Sequence, residues 1–295
     1  MKKYILAIDQ GTTSSRVVLY NDKFKIKNIE QKEFTQYFPK DGWVEHDAEE
    51  IWNDIKNLIL ITFKKNNLKS SQIISIGITN QRETTVIWNK KTGRPIYKAI
   101  VWQDRRTAEL CKKLKLKKKD KIIQKITGLV LDPYFSATKI QWILNKNAKK
   151  KKNQIKNILF GTIDTWLLWK LTGGKSHLTD ITNASRTMIY DSRKEQWSEE
   201  LLKLFKINKN ILPEVKENSY NFGTTKLFGG EIKIGGMAGD QQAATIGQAC
   251  FNSGQSKSTY GTGCFLLMNI GSNFKISTNK LLTTVAFKIN GKKMF

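Results

Sequence analysis

The chain begins with an apolar run, Tyr4-Ile5-Leu6-Ala7-Ile8, stopped by Asp9 and a Gly/Thr/Ser turn, and Val17-Val18-Leu19-Tyr20 follows. Two short apolar runs around a tight turn predict an antiparallel strand pair. Over residues 48–64 the period changes: Ile51, Ile55, Leu58, Ile59 and Thr62 recur at helical spacing, which predicts an amphipathic helix. Asp47 is placed to cap it, with Glu50 three residues on to complete a capping box. Strands are predicted at 73–78, 85–88 and 96–102, and helices at 105–116, 138–147 and 165–171. Residues 232–237 read as a strand that runs into Ala238-Gly239-Asp240 and a small-residue helix at 241–249. Phe251-Asn252-Ser253-Gly254 reads as a linker before strands at 258–260 and 265–269. Hairpins interspersed with helices predict an α/β fold with a mixed sheet.

Composition narrows the class. With 295 residues the length prior is about two domains, and 39% hydrophobic residues suffice for a packed core, which excludes disorder throughout. No run approaches the ~18 apolar residues of a membrane span. The first apolar run is also too short for a secretory signal. Cys111, Cys250 and Cys264 form no CxxC pair; a reducing, cytoplasmic setting is expected, with no membrane insertion. The net charge is +26, yet only 7 of the 51 basic residues are Arg. The lysines gather at 112–121 and 146–156 without interleaved aromatics. That pattern suits solvated surface lysine, with polyanion binding as the alternative; no specific nucleic acid is expected.

Several clusters carry candidate chemistry. Asp9-Gln10-Gly11-Thr12-Thr13-Ser14-Ser15-Arg16 sets hydroxyl and N–H donors in one turn, where Gly11 permits a sharp bend. Such a concavity suits phosphate oxygens; Arg16 adds a fork and Asp9 can hold a metal ion. It is not a P-loop, since no GxxxxGK[ST] occurs. Arg82 and Glu83, just after the 73–78 strand, can offer a donor and an acceptor to polyol hydroxyls, or form an ordinary ion pair. Trp102 either walls a pocket or fills core, and Asp104 can cap the helix after it. Tyr134, after Pro133, has a hydroxyl able to bond a ligand. Asp240 is either a helix cap or a general base. Tyr260-Gly261-Thr262-Gly263-Cys264-Phe265 again lets backbone approach a phosphate. His46 and His177 lie in no metal-ligand spacing.

Taken together, these motifs resemble the sugar and polyol kinase family of the actin-like ATPase superfamily. The 9–16 turn is similar to its first phosphate loop. Gly42-Trp43-Val44-Glu45-His46-Asp47, Asn80-Gln81-Arg82-Glu83-Thr84-Thr85, Trp102-Gln103-Asp104-Arg105-Arg106, Asp132-Pro133-Tyr134-Phe135, Thr179–Met188 and Gly239-Asp240-Gln241-Gln242 resemble its glycerol kinase branch, in the expected order. The resemblance implies an actin-like (ribonuclease H-like) ATPase domain over 1–250, with a mixed sheet flanked by helices. Residues 255–295 would then be the truncated start of a second, nucleotide-binding domain. It implies ATP-dependent phosphorylation of glycerol to sn-glycerol 3-phosphate, with Mg²⁺ accompanying ATP. Arg82, Glu83, Tyr134, Asp240 and Gln241 would bind glycerol hydroxyls, and Trp102 and Phe265 would flank its carbons. Thr12, Thr13, Ser14, Arg16 and Thr262 would contact nucleotide phosphates, Asp9 would hold the metal, and Asp240 would be the catalytic base. A kinase of another sugar, or a non-catalytic binding module, is the alternative. A second polypeptide completing the cleft and a homo-oligomer stay open as partners. Residues 258–295, including Phe265-Leu266-Leu267-Met268 and the 281–287 stretch, are expected to expose apolar faces.

Overall fold

The computed structural model describes residues 2–148 and 157–295; the part of the second lysine run at 149–156 lies outside them. Its centre is a six-stranded mixed sheet in the order Ser219–Thr225, Ile232–Gly239, Ile73–Asn80, Tyr4–Gln10, Ser14–Asn21, Ile26–Glu33. Tyr4–Gln10 pairs antiparallel with Ser14–Asn21, which sets Asp9 opposite Arg16. On its other side it pairs parallel with Ile73–Asn80, Gln10 opposite Asn80. Ile232–Gly239 continues the parallel set, with Gly239 also opposite Asn80. Three parallel strands therefore end at one level. In open α/β sheets, the carboxyl ends of parallel strands are where ligands are held.

Alternation along Tyr4–Gln10 sends Leu6 and Ile8 into a core shared with Ile51, Ile55, Leu58 and Ile59 of helix Ala48–Lys65 and with Trp166 and Leu167 of helix Ile163–Leu171. Asp47 caps the first helix through the N–H groups of Glu49 and Glu50. The capping box does not form. Glu50 instead accepts from Thr35 N and Oγ1 at 3.1 and 2.9 Å, because the neighbouring loop offers two donors where Asp47 offers one. A second core gathers Ile87, Ile100, Phe135, Ile140, Phe160 and Phe205.

Three local expectations are corrected. The strand expected at 96–102 shrinks to Ala99–Ile100: Val101 N bonds Val44 O, and Trp102 N bonds Thr84 Oγ1, so loops rather than a ladder satisfy that backbone. The helix expected from 105 begins at Ala108 after Thr107. Asp104 does not cap it; its carboxylate takes Val44 N at 2.6 Å and pairs with the buried guanidinium of Arg106, which stacks on Trp43. Helices also form at Asp120–Thr127 and Glu199–Phe205, short segments with interspersed charge that hid the apolar period. In the last stretch Tyr260, Leu266 and Met268 are exposed as expected, but Val285, Phe287, Met294 and Phe295 are buried, with Val285 and Phe295 inside the second core. Among the described residues no helix is long and apolar enough to cross a membrane.

Candidate active site

The sheet register brings three distant motifs together. Asp9, the turn Gln81-Arg82-Glu83 and Asp240 all lie at the ends of the three parallel strands. Arg82 is almost fully buried and its Nε lies 2.9 Å from Asp240 Oδ1, though without the angle of an aligned hydrogen bond. Burial opposes the guanidinium's charge, but Glu83, Asp240 and Tyr134 outweigh it and push its proton affinity above the ordinary value. Gly239 permits this approach: a Cβ there would fall 2.6 Å from Arg82 Cδ. Asp240 is the first residue of helix Asp240–Gly247, whose cap position belongs to Gly239; its Oδ1 accepts from Gln241 N at 2.7 Å while facing Arg82.

Glu83 is buried and has φ +62°, a conformation that favours glycine and is strained for Glu. Its Oε1 accepts from Arg186 Nε at 2.6 Å. Trp102 meets Tyr134 edge-on at 5.6 Å and Phe265 at 6.2 Å, and Arg82 lies 5.6 Å from the Phe265 ring. Burial, reinforced by Glu83, raises the Tyr134 phenol's pKa, with Arg186 and Arg82 opposing. The result is a shelf with two carboxylates and a guanidinium on one side and three aromatic rings on the other. Two cavities of about 280 and 670 Å³ lie elsewhere. Lys216 and Lys288 line the first, Lys98 and Lys170 the second, and each has a carboxylate partner.

The glycine turn is tied to this shelf. Gly11 N bonds Ser14 O at 2.9 Å, and Trp102 Nε1 donates to Thr12 Oγ1 at 2.9 Å. Beneath it, Gln81 Nε2 reaches Gln10 Oε1, Gly11 O and His46 Nδ1. His46 Nε2 lies 2.7 Å from Gln36 Oε1, and Gln36 Nε2 donates to Thr12 O. Burial lowers the His46 pKa to about 3. The neutral ring thus accepts at Nδ1 and donates at Nε2, a choice of tautomer that these partners impose. Ser14 Oγ accepts from Gln31, which also takes Arg16 Nε.

Asp9 lies 3.6 Å from Arg16 Nη1. Burial is the larger cause raising its pKa and Asp240 adds to it, while Arg16 opposes both. A carboxylate short of counter-charge beside a second carboxylate fits a hard divalent cation that keeps water and phosphate ligands. Among the described residues no three His, Cys, Asp or Glu side chains form a metal cage.

The remaining candidates stand apart. Gln241 is buried and its Oε1 accepts from Lys257 Nζ, which also donates to Thr259 Oγ1 at 2.8 Å. Thr262 lies in the exposed Gly261–Gly263 turn, and among the described residues no hydrogen bond links it or the Thr13 hydroxyl to the shelf. Two residues given no role by sequence reading take part, Arg186 and Lys257. Arg186 lies inside the Thr179–Met188 motif, which was the available signal; Lys257, one of 44 lysines, had none.

A family model described as "FGGY family of carbohydrate kinases, N-terminal domain" matches residues 4–247. Glycerol kinase from Bacillus cereus (strain AH187) is 54% identical over 99% of this chain, and the Bacillus anthracis glycerol kinase matches to the same extent. The chain spans 60% of the length of these curated relatives. The crystal structure of Plasmodium falciparum glycerol kinase with ADP superposes with a TM-score of 0.93 at 42% identity, covering 99% of this chain and 60% of that one. Xylulose kinase from Lactobacillus acidophilus, at 22% identity and a TM-score of 0.87 over 99% of this chain and 59% of that one, shares the fold.

Proposed function

Because the chain belongs to the FGGY family of carbohydrate kinases, we propose that it carries the polyol side of a kinase cleft and serves the reaction ATP + glycerol → ADP + sn-glycerol 3-phosphate. The observation that supports this most is the shelf at the strand ends, where Arg82, Glu83 and Asp240 face Trp102, Tyr134 and Phe265. A short polyol needs charged donors and acceptors for its hydroxyls and an apolar wall for its carbons. Glu83 and Asp240 accept hydroxyl protons, Arg82 donates, and the rings cover the C–H face.

Phosphoryl transfer asks mainly for alignment and charge stabilisation. Asp240 orients the attacking hydroxyl and takes its proton as it attacks phosphorus. Arg82 Nε lies 2.9 Å from that carboxylate and holds it in place. Thr12, Thr13, Ser14, Arg16 and Thr262 would hold nucleotide phosphates, and Gln241 would add a glycerol contact from the helix start. Asp9 would hold a magnesium ion, which when bound supplies positive charge to the phosphate oxygens. In this reading residues 1–250 form the polyol-binding unit and 255–295 belong to the nucleotide-binding unit. The protein works in the cytoplasm, and its surface lysines have no specific nucleic-acid partner.

The test is calorimetric titration with glycerol, xylulose and gluconate, alongside glycerol-dependent ADP release. Glycerol should bind at least ~10-fold more tightly than either sugar, the discrimination a few matched hydroxyl contacts supply. Equal or tighter binding of xylulose would move the assignment to another sugar.

A further inference from the structure

Arg186 reaches the shelf from an element that shares no strand with it. It follows the short helix Ile181–Ala184, and its N–H bonds Asn183 O at 3.0 Å. The flanking residues are anchored too: Thr187 O accepts from Ala137 N at 2.9 Å, and Ser185 Oγ lies 2.8 Å from Thr284 Oγ1. From this anchored turn the side chain runs to Glu83, where Nε meets Oε1 at 2.6 Å with side-chain exposures of 4% and 1%. The same guanidinium lies 5.3 Å from the Tyr134 ring and 5.0 Å from Phe135. One side chain thus touches two residues on the polyol side.

Glu83 needs such a partner. A buried carboxylate without counter-charge takes up a proton, and one acceptor oxygen then becomes a hydroxyl donor. The other charged or titratable groups around Glu83 are Arg82, Tyr134 and Lys139. Arg82 is engaged by Asp240. Lys139 gives its Nζ protons to the carbonyls of Pro133, Tyr134 and Phe135 at 2.7, 2.6 and 3.2 Å. Among the described residues, Arg186 is the cation in ion-pair contact with Glu83.

We propose that Arg186 is a positioning residue for polyol recognition: it keeps Glu83 an anion with Oε1 occupied, leaves Oε2 to accept a substrate hydroxyl, and packs the Tyr134 ring beside the same ligand. This rests on the polyol reading above. It assigns Arg186 no contact with the ligand, so its loss acts through the charge and placement of Glu83 and the packing of Tyr134.

The test compares the parent chain with Arg186→Met and Arg186→Lys by glycerol calorimetry between about pH 5.5 and about pH 8.5, the range where a buried carboxyl without its partner titrates. Burial lowers the Lys139 pKa to about 7 beside Glu83, so each variant's affinity is read as a ratio to the parent at the same pH. Arg186→Lys, which keeps the charge but not the fork, should weaken binding by about tenfold without pH dependence. Arg186→Met should weaken it by about tenfold or more at the acid end and recover as pH rises. Equal weakening of Arg186→Met at every pH, or parent-like affinity in either variant, overturns the proposal. Infrared difference spectra of Arg186→Met against Arg186→Met/Glu83→Gln read the protonated carboxyl directly, without any ligand. If that band appears while the parent binds no glycerol, the polyol reading falls and the charge-holding role of Arg186 stands. If Arg186→Met does not fold, the affinity of Arg186→Lys decides, parent-like binding overturning the proposal.

Discussion

Replacing Gly239 by Ala tests whether the Arg82–Asp240 geometry depends on a missing side chain. Gly239 has φ −60° and ψ 151°, a conformation alanine adopts freely, so backbone strain does not enter. The added Cβ would lie 2.6 and 2.7 Å from Arg82 Cδ and Cγ and 3.0 Å from Gln242 Oε1. Ordinary carbon contacts are about 3.5–4.0 Å, so Arg82 must move by about 1 Å. Its side chain is only 4% exposed and has little room. A shift of that size takes Nε out of contact with Asp240, from which it now lies 2.9 Å. Overpacking costs about 1–3 kcal/mol, and losing a glycine from the unfolded chain returns about 0.4–1 kcal/mol. The expected net loss is about 1–2 kcal/mol in urea unfolding, with glycerol affinity down by about tenfold as a charged donor moves out of place. Gly247→Ala at the far end of the same helix is the control. Nothing lies within 4 Å of its added Cβ, so a gain of about 0.5–1 kcal/mol is expected. Gly239→Ala behaving like Gly247→Ala, more stable and unchanged in glycerol binding, would refute the steric argument.

Asp240→Asn preserves the shape of the side chain but not its charge or basicity; in an assembly that turns over, kcat should fall by about 10²–10⁴ with a much smaller change in glycerol affinity. Turnover within a few-fold of the parent, followed by ADP release, would reduce Asp240 to a partner of Arg82. Trp102→Phe keeps the ring against Tyr134 but removes the donor to Thr12; nucleotide affinity should weaken a few-fold and stability fall by about 0.5–1.5 kcal/mol, and no change in either would detach the turn from the shelf. His46 is lowered in the fold from 6.5 to about 3. Its neutral form therefore contributes stability that is present above pH 6.5 and lost as pH falls from there toward 3. Each pH unit in that window is worth up to about 1.4 kcal/mol, so the stability difference between the parent and His46→Gln should narrow on acidification, and a constant difference in urea unfolding at pH values either side of 5 would contradict it.

Much of this molecule follows from local pattern. Alternation in Tyr4–Gln10, the period of Ala48–Lys65 and the small residues before Asp240 dictate their elements, because burying one apolar face is the main driving force and the period shows which face. The chemistry-bearing residues are also readable as types: a donor-rich turn, an Arg-Glu pair, an Asp after a glycine. Local pattern does not say what each polar group bonds. Glu50 turns to Thr35 rather than to its own helix end, and Asp104 to Val44 N, 60 residues away, because partners distant in sequence outcompete the helix end. Short segments with interspersed charge concealed two helices, because seven or eight residues hold too few turns for the apolar period to show. Only the parallel register sets Gln10, Asn80 and Gly239 side by side at the carboxyl ends of three strands, next to Asp9 and Asp240. Only the packed turn after Ile181–Ala184 brings Arg186 to Glu83, since an ion pair across 103 residues is specified by the fold as a whole and by no spacing within the chain.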